Sequence, residues 1–122
     1  MTINEAIDAL DAQKSNTFSR QEKLDWLSRV DGLIQEELID THAEGQTLFT
    51  GYTESTDPAT VLLVPAPWDE LYLHYMTAQM DYLNGELTRY TNAAARYNAC
   101  LAAYKNHYNR THAPKGQSWR YF

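Results

Sequence analysis

Residues 68–109, WDELYLHYMTAQMDYLNGELTRYTNAAARYNACLAAYKNHYN, decide the fold. Leu73, Met76, Met80, Leu83, Leu87, Tyr90, Ala94, Tyr97, Leu101, Tyr104 and Tyr108 recur in alternating steps of three and four, the spacing of one face of an α-helix. Asn84-Gly85 inside the run has the form of a helix stop. A turn generally shifts the phase of an apolar stripe, however, and this phase passes through Gly85 unchanged. The spacing therefore predicts one helix over about residues 68–109 in preference to a hairpin broken at Asn84-Gly85. At about 1.5 Å per residue that helix would be about 60 Å long, against about 35 Å across a compact globule of this size. Its uncovered part would have to pack on another molecule.

Working back toward the N-terminus, Thr2-Ile3-Asn4-Glu5 has the form of a capping box, and Ile3, Ile7 and Leu10 follow at helical spacing. This predicts a helix over about 3–13. Ser19-Arg20-Gln21-Glu22 is a second capping box, followed by Leu24, Leu27, Ile34 and Leu38 with Trp26, Val30 and Leu33 widening the stripe. A second helix is expected over about 20–41, with Gly32 in its interior costing about 1 kcal/mol relative to alanine.

Residues 46–64 change character. Thr47 to Thr53 and Thr60 to Val64 are β-favouring runs, and Ser55-Thr56-Asp57-Pro58 between them is a turn signal. A β-hairpin or extended arm is expected, and because a lone hairpin is marginal in water it would be a contact arm ordered by a partner. Pro65-Ala66-Pro67-Trp68 closes it, and Asp69 and Glu70 supply the negative charge that suits the first turn of the next helix. The C-terminal residues 113–122 are punctuated by Pro114 and Gly116 and end on Trp119, Arg120, Tyr121 and Phe122. Large aromatics are favoured interface anchors, so this tail is expected to dock on a partner. The fold class is mainly α: a small helical bundle over residues 1–112 with one long C-terminal helix, an arm between the second and third helices, and a tail.

A chain of 122 residues fits a single small domain, and its 43% hydrophobic content is enough for a core without metal or disulfides. Cys100 is the only cysteine, which excludes an internal disulfide and a thiolate metal cage within one chain. The first residues lack the basic and apolar regions of a signal peptide, and no apolar run reaches membrane-spanning length, so a soluble, unexported protein is expected. The net charge of −6 conceals a polarity: residues 1–60 carry four basic residues against twelve acidic ones, whereas from Thr88 onward there are six basic residues and no acid. Opposite ends of this kind suit head-to-tail contact between copies, or approach of the basic end to an acidic partner.

No constellation points to catalysis. The five glycines are scattered, so neither a phosphate-cradling loop nor a dinucleotide fingerprint exists. His42, His74, His107 and His112 lack metal-ligand spacing. The carboxylates Asp69, Glu70, Asp81 and Glu86 read as a solvated helix face. Cys100 beside Tyr97 and Leu101 reads as a small buried hydrophobe. No enzyme and no cofactor are expected. Arg89, Arg96, Lys105, Arg110, Lys115 and Arg120 interleave with tyrosines, residue types used on single-stranded nucleic acid, but they are dilute and the acidic half would repel a long polyanion. The residues expected at interfaces are Phe49, Tyr52, Val61, Leu63, Trp68, Tyr90, Tyr97, Tyr104, Tyr108, Trp119, Tyr121 and Phe122.

Three stretches, SRQEKLDWLSRVDGLIQEEL (19–38), TVLLVPAPWDELYLHYMTAQMDYLNGE (60–86) and YNACLAAYKNHYNRTHAPKG (97–116), together resemble the head-to-tail connector, or adaptor, proteins of long-tailed bacteriophages. Val64-Pro65-Ala66-Pro67-Trp68-Asp69-Glu70-Leu71-Tyr72 is the sharpest part. The resemblance implies an all-helical bundle with a loop or hairpin between its second and third helices. It implies assembly as a homo-oligomeric, dodecameric ring between the portal protein and head-completion or tail proteins. The ring would line the channel through which DNA leaves, in passing contact with that DNA, in the virion neck after assembly in the host cytoplasm, with no membrane involved. The alternatives are a small helical nucleic-acid-binding or regulatory phage protein and a stand-alone coiled-coil adaptor.

Overall fold

The computed structural model describes residues 1–41 and 49–112. Four α-helices follow in order: α1 Ile3–Gln13, α2 Arg20–Glu37, α3 Glu70–Leu83 and α4 Leu87–Thr111, with a 3₁₀ turn at Ile39–Thr41 after α2. The mainly α class holds. Both capping boxes form as the sequence predicts: the Thr2 hydroxyl accepts from the Glu5 amide while the Glu5 carboxylate accepts from the Thr2 amide, and Ser19 and Glu22 repeat the exchange. Each satisfies orphan amides that the first helical turn would otherwise leave open.

Helix α3 occupies the centre, packing on α1, α2 and α4, and α4 also reaches the end of α2, where Lys105 Nζ lies 3.5 Å from Glu37 Oε2. Its composition requires that place. Leu71, Tyr72, Leu73, Met76, Ala78 and Met80 are buried around most of the helix, and Asp81 is buried on its polar side, so a helix covered this widely belongs in the interior. Ile3, Ile7 and Leu10 of α1, Leu24, Leu27, Val30 and Ile34 of α2, and Tyr104 and Tyr108 of α4 share one core with it.

The long-helix expectation is overturned: α3 ends at Leu83, Gly85 adopts φ +76°, and α4 turns back along α3 as a helical hairpin. Glycine enters this left-handed region without the clash that a Cβ incurs. The unchanged phase is a coincidence of loop length. Leu83 and Leu87 stand four residues apart, as they would in a helix, but they lie on either side of the turn and are 56% and 63% exposed. They belong to no common buried face. Spin labels at positions 70 and 102, both exposed, on a Cys100→Ala background, are expected within about 20 Å of each other, from neighbouring helix axes 8–10 Å apart plus the label arms. One continuous helix would place them about 48 Å apart.

The hairpin expectation for residues 46–64 is also corrected. Residues 46–48 lie outside the described segment, and residues 49–64 form no strand pair with one another. They run as an extended, turn-punctuated segment that docks on α1 and α2. The Thr60 carbonyl accepts from the Ile3 amide (3.0 Å), the Pro58 carbonyl accepts from the Asn4 amide (3.1 Å), and Thr2 forms an isolated antiparallel bridge with Val61. The segment thus satisfies the first-turn amides of α1, so the side that was expected to wait for a partner is occupied by the subunit's own first helix. Tyr52, Leu62 and Val64 are buried in the common core.

Candidate assembly surfaces

The interior that holds these surfaces in place is organised by Asp31, which is fully buried on the inner face of α2. Its Oδ2 accepts from the Tyr52 hydroxyl (2.5 Å) and the Leu63 amide (3.1 Å), and its Oδ1 accepts from the Tyr72 hydroxyl (2.5 Å). The Tyr72 oxygen in turn accepts from the Val64 amide at 2.8 Å. Ser28, one turn before Asp31, holds the Tyr52 backbone from both sides: its Oγ accepts from the Tyr52 amide (2.7 Å) and donates to the Tyr52 carbonyl (3.2 Å). One carboxylate therefore joins α2, the docked segment and α3. Burial raises the Asp31 carboxyl above the usual carboxylate range, with the two tyrosine hydroxyls and the Leu63 amide opposing the shift. Burial also pushes the Tyr52 and Tyr72 phenols up, which keeps both as donors. The spacing of Leu24, Leu27, Asp31, Ile34 and Leu38, in steps of three and four, places Asp31 in the apolar stripe. That position was the signal in the sequence for this residue.

A second buried charge lies at the α1 end. Lys14 Nζ bonds Asp81 Oδ1 of α3, whose side chain is 2% exposed, and lies 3.6 Å from Glu86 Oε2, which also pairs with Arg89 at 3.0 Å. Asp81 is thus not part of a solvated carboxylate face.

The tyrosines of α4 meet those of α3 within the subunit. Tyr75 and Tyr97 pack at 5.1 Å between ring centroids, Tyr82 and Tyr90 at 5.4 Å, and Trp68 stacks on His107 at 4.3 Å and leans on Tyr104 at 5.6 Å. Burial pushes Tyr97 and Tyr104 up to about 12. Cys100 donates to the Trp68 carbonyl at 3.3 Å, and burial raises its thiol. Of the residues expected at interfaces, Tyr52, Tyr104 and Tyr108 are turned into the subunit's own core, while Phe49, Leu63, Trp68, Tyr90 and Tyr97 are half-buried in internal contacts. Val61 stays 66% exposed. Trp119, Tyr121 and Phe122 lie outside the described residues.

What remains outward is divided by charge. Helices α1 and α2, in one outer layer, carry three cations and eight carboxylates, of which only Asp31 is fully buried; α4, in the other, carries Arg89, Arg96, Lys105 and Arg110 and no carboxylate. Arg89, Asn92, Arg96, Ala99, Ala103, Asn106 and Arg110 are all exposed and follow one another in steps of three and four, one uncovered stripe along the helix. An open depression of about 560 Å³ beside α2 is lined by Ser28, Arg29, Gly32, Leu33, Phe49 and Tyr75 among others. Among the described residues no group of three His, Cys, Asp or Glu side chains could hold a metal ion, and no helix is long and apolar enough to cross a membrane. Comparison of the chain with protein families, curated proteins and solved structures finds no match.

Proposed function

We propose that this chain is a structural subunit of the head-to-tail connector of a long-tailed bacteriophage, repeated around a ring between the portal protein and the tail and lining the DNA exit channel. The observation that carries the reading is the pair of oppositely charged outer layers, acidic on α1 and α2 and basic on α4. A cyclic assembly is built from two different surfaces of one subunit that meet heterologously, and these layers provide an acidic surface and a basic one. The resemblance of stretches within residues 19–116 to connector proteins supplies the identity of the ring, its dodecameric count and its neighbours: the portal above one face and head-completion or tail proteins at the other. The aromatic tail, with Trp119, Tyr121 and Phe122, is the element proposed to engage those neighbours. Electron microscopy of the purified protein, alone and with portal particles, is expected to show closed rings. A chain that stays monomeric and retards DNA in a gel would instead favour the small nucleic-acid-binding protein, the reading to which the arginine stripe of α4 also gives support.

A further inference from the structure

We infer that the arginine stripe of α4 binds the outer face of α2 in a second copy of the same chain, in an antiparallel register set by two matched pairs of charges. This rests on the ring reading and specifies which surfaces join the subunits.

Along the outer face of α2 lie Glu22, Asp25, Arg29, Leu33 and Glu36, all exposed. Leu33 is 45% exposed, a large apolar side chain between charges. Among the described residues, no ion pair engages Asp25, Arg29, Glu36, Arg96 or Arg110, so these charges are available to a partner. Glu22 and Glu36 are two heptads apart, as are Arg96 and Arg110, and two heptads span about 21 Å along a helix axis. Laying the helices antiparallel puts Glu36 opposite Arg96 and Glu22 opposite Arg110, with Asp25 within a turn of that arginine. The same register puts Leu33 opposite Ala99 and Arg29 opposite Ala103. Small side chains therefore receive the leucine, and the one α2 cation on this face meets no arginine. Parallel pairing matches the charges but sets Leu33 opposite His107 and beside Asn106, with no small side chain to receive it. Within one subunit α2 and α4 pair through Glu37 and Lys105, which lie off both stripes, while the stripes themselves stay exposed, so each copy offers one to the next. A polyanion could also use the stripe, but it would gain nothing from the matched spacing or from Leu33.

The test uses two charge-reversed variants of the full chain, Arg96→Glu/Arg110→Glu and Asp25→Lys/Glu36→Lys, followed by sedimentation velocity at low and high salt, with circular dichroism to establish that each folds. Glu22 is left intact because its carboxylate caps α2. Each variant alone is expected to self-associate about ten-fold or more weakly than the wild type, since like charges then face each other. An equimolar mixture is expected to associate again, because the acidic α4 of the first variant complements the basic α2 of the second, and the unaltered α4 of the second complements the unaltered α2 of the first. A wild type that forms rings while both variants assemble equally well overturns this interface and leaves the ring reading standing. A wild type that remains monomeric at every concentration and salt overturns both. Loss of DNA retention in Arg96→Glu/Arg110→Glu without any change in assembly assigns the stripe to nucleic acid and overturns the inference.

Discussion

Replacing Asp31 by alanine is expected to lower the free energy of unfolding by about 3–5 kcal/mol, the range for stranding the partners of a buried charge. The substitution leaves the Tyr52 hydroxyl, the Tyr72 hydroxyl and the Leu63 amide without their acceptor, and the loss of any buried partner costs the full desolvation of the group left behind. Tyr52→Phe removes one of the three bonds and should cost about 1.5–3 kcal/mol. The pH dependence adds a check. Since the folded pKa of Asp31 is raised above its unfolded value by burial, the folded state binds the extra proton between those two pKa values. The contribution of this group is then fully present below the unfolded pKa and is lost as pH rises through the folded one. Asn at this position does not titrate. The stability advantage of the wild type over Asp31→Asn should therefore be larger at acid pH and shrink as pH rises, as urea denaturation at a series of pH values can show.

The second large effect concerns Lys14. Its removal in Lys14→Ala leaves the nearly inaccessible Asp81 carboxylate without the cation that faces it, and breaking a buried pair from one side typically costs about 3–5 kcal/mol. Lys14→Met/Asp81→Leu removes both charges and should recover most of that loss. Equal destabilisation by the single and double variants would mean that the lysine stem and its packing, and not the charge pair, hold α1 to the α3 end.

The contrast between α2 and the α3–α4 pair shows what the sequence could disclose. Capping boxes are local: Thr2 with Glu5 and Ser19 with Glu22 sit within one turn, so their chemistry is readable without knowing the fold. The inward direction of Tyr104 and Tyr108 was likewise legible from their spacing, although what they face was not, since the spacing names a buried side without saying whether the same subunit or another covers it. Asn84-Gly85 was legible as a stop residue by residue and was outweighed by a stripe whose last α3 member, Leu83, and first α4 member, Leu87, are both largely exposed. Periodicity counts spacing, and a three-residue turn can preserve spacing while reversing the chain. The arm failed for a different reason. β-propensity reports fitness for an extended, half-buried chain, and residues 60–64 alternate between exposed Val61 and buried Leu62 and Val64, but their hydrogen-bond partners include Met1, Ile3, Asp31 and Tyr72, distant in sequence or on another element.

The charge polarity seen in the sequence survives folding because α1 and α2 carry most of the carboxylates on their outer faces and α4 carries cations alone. The proposed consequence is assembly, which native mass spectrometry of the purified chain at tens of micromolar and low ionic strength measures most directly. The expected result is one discrete species of about 168 kDa, twelve copies of the 14.0 kDa chain, which dissociates as ionic strength rises and charges are screened. A spectrum holding only the 14.0 kDa monomer under all of these conditions would contradict the proposal that this chain is a ring subunit.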